Sequence, residues 1–166
     1  MPASYVLMFI GKITAYLFVC LMQCLLMLSL GVYLMPQLGL PALSIGSNGL
    51  AIMTIAICTG LAATSYGIFV GTLFRTHQQA STFGAVSVVI FAALGGIWVP
   101  VYVMPDVLRS LSCISPLSWA LEAFHRIFIS NASLIDVWPA ALKLFSFFIS
   151  FQGCLNIIFM FHFLKN

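Results

Sequence analysis

Ionisable and hydroxyl side chains crowd into one segment in the second half of the chain. Two serines, Ser115 and Ser118, are followed there by Glu122, His125 and Arg126. A histidine beside a carboxylate and two hydroxyls could form a hydrolytic site in which a base activates a nucleophile. However, Glu122 and Arg126 have the four-residue spacing at which opposite charges pair on one helix face. The sequence also lacks the H-E-x-x-H and G-x-S-x-G signatures of hydrolases, so we expect an ion pair and no catalytic residue.

Metal and phosphate binding are the other chemistry that the residues could suggest. Cys20 and Cys24 share a helix face, but no histidine or carboxylate stands near them, so apolar packing accounts for them better than a metal. Gly11-Lys12 is not a phosphate-binding loop, because Ile13 follows where that loop needs Ser or Thr. We therefore expect neither a metal nor a bound cofactor in this chain.

The composition is that of a membrane protein. Hydrophobic residues make up 63% of the chain and charged residues 5%, whereas soluble domains carry about 25% charged residues. So few charges could not cover the surface of a water-soluble fold, and we predict an all-α integral membrane protein. The net charge of +3 is too small and too scattered to favour nucleic acid as a partner.

Four apolar segments are long enough to cross a bilayer, which takes about 20 residues. We predict a single transmembrane domain over residues 1–166, with Met1–Gly11 as an interfacial lead-in. A glycine- and proline-rich loop joins the first two spans, and a short polar turn, Arg75–Gln79, joins the second to the third. The predicted spans are about 13–35, 50–74, 80–99 and 140–164.

Small residues recur along one face of the second span. They are Ala56, Gly60, Thr64, Gly67 and Gly71. Gly67 and Gly71 form a G-x-x-x-G pair, which lets helices approach closely in lipid, so we predict helix packing there in preference to a conduit lining. Polar side chains within spans, Gln23, Gln152 and Asn156, are expected to hydrogen-bond between helices more than to touch a substrate.

The apolar segment after the third span is too charged to cross the membrane. Leu111–Ile129 holds eight large apolar residues, which favour insertion by roughly 2.4 to 4.8 kcal/mol. Glu122 and Arg126 oppose insertion by about 5 to 7 kcal/mol. The cost of inserting the two charges exceeds the gain from the apolar residues. We therefore predict a re-entrant or interfacial helical hairpin over about 105–129, which enters and leaves on one side of the membrane.

Two motifs frame this hairpin. G-G-I-W-V-P-V-Y-V-M-P ends the third span, and S-P-L-S-W-A-L-E-A-F lies inside the hairpin. Their order resembles the C-terminal half of the transmembrane domain of type-2 ATP-binding-cassette (ABC) exporter permeases, in which an outer-face helical pair precedes the last span. The residues that carry the likeness are Gly95, Gly96, Pro100, Pro105 and Pro116.

This resemblance implies a function and a set of partners. The chain would be a membrane-spanning permease subunit that exports a substrate by alternating access. ATP would be hydrolysed by a separate ATP-binding subunit, and the permease itself would not be an enzyme. A second permease copy or half, an N-terminal half with two further spans, and the lipid bilayer are the other implied partners. Nothing in the spans selects a substrate or a substrate-binding residue.

Orientation follows from the resemblance alone, because basic residues divide equally between the two sides. We expect a multi-pass protein of the cell (inner) membrane with cytoplasmic termini. Lys12, Arg75 and Lys165 fall on one predicted side, and Arg109, Arg126 and Lys143 on the other.

Two other classes of function remain open. An intramembrane enzyme would use the cluster around His125. A proton-coupled carrier would need an acidic residue within a span, whereas Asp106, Glu122 and Asp136 fall outside the four predicted spans.

Overall fold

The computed structural model describes residues 2–39 and 48–164, and in these ranges it contains helices and no strand. The all-α prediction is confirmed. The predicted loop lies mostly at residues 40–47, which are outside the described residues, as are Lys165 and the side chain of Asn156. The elements are α1 (Pro2–Gln37), α2 (Gly49–Leu73), α3 (His77–Leu94), a 3₁₀ turn (Val101–Val103), α4 (Asp106–Ser112), α5 (Pro116–Ser130) and α6 (Leu134–Leu164).

Three of the described helices are both long enough and apolar enough to cross a membrane. The qualifying segments are Ile10–Gln37 in α1, Gly49–Leu73 in α2 and Leu134–Leu155 in α6, in agreement with an integral membrane protein. Helix α3 has 18 residues and is about 27 Å long, close to the bilayer core of about 30 Å. Its polar first turn, His77-Gln78-Gln79, lowers its mean hydropathy, and its role as a span stays a prediction.

Helix α1 is longer than the predicted first span. Its 36 residues extend about 54 Å, so the segment predicted as a separate interfacial lead-in is its first turns. Pro2 is the first helical residue, where the missing N–H is not needed. Gly11 costs about 1 kcal/mol relative to alanine, which is too little to break a helix of this length.

Helices α3 and α6 differ most from their predicted bounds. Helix α3 ends at Leu94, five residues before the predicted end, because Gly96 has a φ of +87°, outside the helical region. Helix α6 begins at Leu134, six residues before the predicted start. Asp136 Oδ2 accepts hydrogen bonds from the Ser133 backbone N (2.9 Å) and Oγ (2.7 Å), which caps the helix. Asp136, predicted to lie outside the spans, is thus in the first turn of α6.

Helix α2 lies at the centre of the bundle and contacts α1, α3, α5 and α6. Its most extensive contact is with α6, and the two helices run in the same direction. Asn48, just before α2, bonds Ala132, just before α6, at 2.9 Å, and Tyr66 meets Phe151 further along at 5.5 Å between ring centroids. The buried core between α2, α5 and α6 comprises Ala51, Ile52, Ile55, Ala123, Ile127, Val137 and Ala141.

Candidate functional site

The segment predicted as a hairpin contains two helices, α4 and α5, which are joined by Cys113–Ser115 and both contact α3. We keep the name hairpin for this segment. It is seated against the end of α3 at Gly95. A Cβ atom at Gly95 would lie 2.7 Å from the Phe91 carbonyl of α3 itself, 3.0 Å from the Cβ of Leu117 and 3.2 Å from the backbone N of Ser118. A larger residue would collide with the last turn of α3 and also press against α5, so glycine suits both the end of α3 and its close approach to α5.

Glycine is also required at the next position, for a different reason. Gly96 has a φ of +87°, in the left-handed region that other residues rarely adopt, and a Cβ there would lie 2.7 Å from Val101 Cγ2. Helix α3 therefore ends here, and bends over the next residues lead to the 3₁₀ turn at Val101. The two glycines of the motif have separate roles: Gly95 allows close approach, and Gly96 ends the helix.

The three motif prolines each stand at the start of an element. Pro100 precedes the 3₁₀ turn, Pro105 precedes α4, and Pro116 is the first residue of α5. A proline N–H is not missed at these positions, and its fixed φ suits the beginning of a helix. The prolines thus divide the segment into the short pieces of a hairpin, which the sequence predicted.

Two side-chain hydrogen bonds hold the turn between α4 and α5. Buried Ser115 donates from Oγ to the Phe91 carbonyl at 3.1 Å, which joins the turn to α3. Trp119 Nε1 donates to the Cys113 carbonyl at 2.9 Å and closes the turn itself. Neither bond was evident from the sequence, because serine and tryptophan in an apolar segment have many possible partners.

The hydroxyl groups and His125 do not form a hydrolytic cluster. Ser115 lies just before α5, and His125 is the tenth residue of that helix, which separates them by about 15 Å along the axis. Ser118 is seven residues from His125, or about 10 Å. A nucleophile and its base must come within hydrogen-bond reach, about 3 Å. This geometry argues against the enzyme alternative.

The predicted ion pair on α5 is present. Arg126 Nη2 lies 2.6 Å from Glu122 Oε1, and the two side chains are 55% and 56% exposed. The opposite face of α5 buries Ala120, Ala123 and Ile127 against the bundle. The pair therefore lies on the outward face, where an ion pair contributes about 0–1 kcal/mol.

An asparagine outside the hairpin fastens it to the bundle. Asn48 Nδ2 donates to the backbone carbonyls of Asn131 at 2.8 Å and Ala132 at 2.9 Å. Asn131 ends α5 in the left-handed conformation, with a φ of +48°. One side chain thus ties the start of α2 to the turn between α5 and α6.

Comparison with known proteins assigns these features to a family. The family model described as ABC-2 type transporter matches residues 1–129, from the start of α1 almost to the end of α5. The chain belongs to the ABC-2 type transporter family. The match covers the Gly95–Pro105 motif and nearly the whole hairpin, so the resemblance proposed from those residues is confirmed.

The curated relatives of this ABC-2 chain are permeases by name. Probable multidrug ABC transporter permease YbhR of Escherichia coli (strain K12) is 31% identical over 132 residues, and the protein of that name from Escherichia coli O157:H7 matches equally. The matched region is 78% of this chain and 34% of each relative, so the chain spans about a third of their length. No solved structure matches the chain significantly.

The small face of α2 in this ABC-2 chain is partnered along only part of its length. A Cβ at Gly60 would lie 2.8 Å from Leu17 Cδ1 of α1, so helices meet closely there. Nothing described lies within 4 Å of a Cβ at Gly67 or Gly71, and both residues are exposed. Helix packing at Gly67 and Gly71 stays a prediction, because no helix in the described part of the chain packs against these two glycines.

Hydrogen bonding between spans involves residues other than those predicted. Tyr66 donates its hydroxyl to Ser87 Oγ at 2.7 Å, which links α2 to α3. Gln23 is exposed on α1, and Gln152 Oε1 is buried without a hydrogen-bond partner among the described residues. The helix-to-helix bond predicted for this oxygen is therefore not made within the described part of the chain. An unpaired amide oxygen in an apolar setting is unfavourable.

Proposed function

We propose that this chain forms part of the membrane-spanning permease of an ABC transporter that exports small molecules. The observation that carries the proposal is the hairpin seated on Gly95 and fastened by Asn48, within a region matched by the ABC-2 family model. The name of the YbhR relatives favours drug-like, apolar or amphipathic molecules as the transported class. Export of such molecules would not require a catalytic residue in the permease.

In this proposal the permease works by alternating access. ATP binding by two separate ATP-binding subunits closes the cytoplasmic side, and the spans rearrange to open the outer side. The sequence of this chain carries no phosphate-binding loop, which is consistent with ATP hydrolysis elsewhere in the complex. The chain spans about a third of its relatives, and we infer that the conduit needs an N-terminal half and a second permease copy or half.

We further propose that the protein lies in the cell (inner) membrane with its termini in the cytoplasm and the hairpin on the outer face. Exposed ionisable groups on the hairpin, such as Asp106, Arg109, Glu122 and Arg126, support its contact with water. An interfacial position also avoids the insertion cost of the two charges of α5.

Purification from the native membrane tests the partnership with an ATP-binding subunit. The tagged chain should co-purify with a subunit that hydrolyses ATP, and ATPase activity should disappear when that subunit is removed by washing. The control is a mock purification from membranes that lack the tag. ATP hydrolysis by the washed chain alone would contradict the proposal.

A further inference from the structure

A charged cleft lies between α5 and α6, on the outward side of the hairpin. Its volume is about 90 Å³, several times the roughly 10–15 Å³ that one water needs on the same measure. Trp119 forms one wall, and four ionisable residues line the cleft. They are Glu122 and Arg126 from α5, and Asp136 and Lys143 from α6.

The four charges are unevenly paired. Arg126 is paired with Glu122 at 2.6 Å. Asp136 accepts hydrogen bonds from neutral Ser133 and also interacts electrostatically with Arg126, so one arginine faces two carboxylates and these three groups carry one net negative charge. All three carboxylate residues of the chain are described, and none lies within 4 Å of the amine of Lys143. The cleft thus offers one carboxylate charge in excess of its arginine, and one cation, Lys143, with no Asp or Glu carboxylate within 4 Å.

Asp136 and Lys143 have a fixed order along α6. Asp136 is in the first turn, and Lys143 is seven residues further on, so their Cα atoms lie about 10 Å apart along the helix axis. Both lie in Leu134–Leu155, a segment able to cross a membrane. An ionisable residue at such a position is unfavourable unless it has a partner, and a lysine amine can extend towards the level of the lipid headgroups.

If α6 enters the membrane at its first turn, Asp136 lies nearer the membrane surface than Lys143. In a zwitterionic phospholipid the ammonium lies nearer the surface and the phosphate lies deeper, so each lipid group meets a side chain of opposite charge. We propose that the cleft binds an aminophospholipid headgroup, with its phosphate on Lys143 and its primary ammonium on Asp136. A primary ammonium can donate hydrogen bonds to a carboxylate, whereas a quaternary ammonium cannot. The ligand class is therefore phosphatidylethanolamine, ahead of phosphatidylcholine or an anionic lipid, and the inference does not depend on the proposed transport function.

Quenching of Trp119 fluorescence by brominated lipids tests this directly. The chain has three tryptophans, and Trp98→Phe with Trp138→Phe leaves Trp119 as the reporter in the cleft. The full chain is reconstituted in bilayers with equal fractions of brominated phosphatidylethanolamine, phosphatidylcholine or phosphatidylglycerol. We expect the strongest quenching from phosphatidylethanolamine. A second version that retains only exposed Trp98 reports the bulk lipid and should show no headgroup preference.

Two variants test whether Lys143 and Asp136 cause the preference for phosphatidylethanolamine. Lys143→Gln and Asp136→Asn should each lower the relative binding of phosphatidylethanolamine at Trp119 by about two- to fivefold, the range for one partly exposed ion pair. Asn at 136 keeps an acceptor for the Ser133 bonds, so the cap of α6 is retained. The controls are Lys12→Gln and Asp106→Asn, which alter exposed charges outside the cleft and should leave quenching unchanged.

Three results would overturn the proposal. One is equal quenching by the three lipids at Trp119. Another is an unchanged preference in both Lys143→Gln and Asp136→Asn. The third is displacement of the brominated lipid by millimolar soluble phosphoethanolamine, which would make the ligand a soluble compound and not a membrane lipid.

Discussion

At the scale of single residues, neutral amide and hydroxyl groups hold the hairpin more firmly than its charges do. Asn48 donates two hydrogen bonds to backbone carbonyls across 83 and 84 residues of sequence. The Glu122–Arg126 pair, by contrast, links two residues of the same helix and is about half exposed. Bonds that close a long loop contribute to tertiary structure, whereas an exposed pair within one helix contributes little.

This difference predicts the outcome of two alanine substitutions. Asn48→Ala should lower the free energy of unfolding by about 1–3 kcal/mol, because a partly buried carbonyl at Ala132 and an exposed one at Asn131 lose their donor. Glu122→Ala should lower it by no more than about 1 kcal/mol. The measurement is reversible unfolding of the purified protein in detergent. Equal losses in the two variants, or a larger loss for Glu122→Ala, would show that the ion pair and not Asn48 secures the hairpin.

The residue scale also shows where sequence-based prediction reaches its limit. The ion pair was predictable because both partners lie on one helix at a known spacing. The S-x-x-D pattern of Ser133 and Asp136 before an apolar segment is a capping signal, and it marks the start of α6 more accurately than hydropathy does. Asn48 gave no local signal, since its partners are carbonyls far away in sequence.

At the scale of elements, helix α2 and the division of the hairpin segment into two short helices agree best with the prediction. The position of the hairpin on one side of the membrane stays a prediction. Helix α2 matches its predicted span to within one residue at each end. The hairpin was predicted from insertion energetics, which depend on composition and need no knowledge of packing. The end of α3 was missed because Gly96 terminates it through a positive φ, although Val99 still belongs to the apolar run. Backbone conformation at glycine is not evident from hydropathy.

Cysteine labelling tests the predicted position of the hairpin. In a chain lacking its five native cysteines, Ser110→Cys in α4 and Ser130→Cys at the end of α5 should both react with a membrane-impermeant maleimide on intact cells. Gln78→Cys, at the start of α3, should react only after permeabilisation. All three positions are exposed, so accessibility within the chain does not limit the reaction. Reaction of Ser110→Cys and Ser130→Cys from opposite sides would mean that α5 crosses the membrane.

The small face of α2 predicts two different consequences of a bulky residue. Gly60→Leu should destabilise the chain itself, by about 1–3 kcal/mol, because Leu17 of α1 occupies the space. Gly71→Leu should leave the stability of the chain unchanged and weaken its association with other transporter subunits. Unfolding in detergent and co-purification separate the two effects. Normal co-purification with Gly71→Leu would mean that this face contacts lipid only.

At the scale of the whole molecule, a dense core of α2, α5 and α6 is combined with a loosely attached α1. No residue in the spanning window of α1 is buried, against 44% of the window in α2. Helix α1 contacts α2 along one face and exposes many large apolar residues on the rest, and these must be covered by lipid or by another part of an assembly. The chain spans about a third of its relatives, and this exposure supports our proposal that it works within a larger permease.

ATP-driven drug transport by the reconstituted complex is the most direct test of the permease assignment. The complex of this chain, its permease partners and the ATP-binding subunit should move a fluorescent drug across liposomes only with hydrolysable ATP. Gly95→Leu should lower the rate about tenfold or more, because a side chain at this position collides with backbone of α3 and α5 and displaces the hairpin from its place in the complex. Gly11→Leu, at an exposed glycine with open space around it, should transport normally. Transport without ATP, or by this chain in the absence of the ATP-binding subunit, would contradict the assignment.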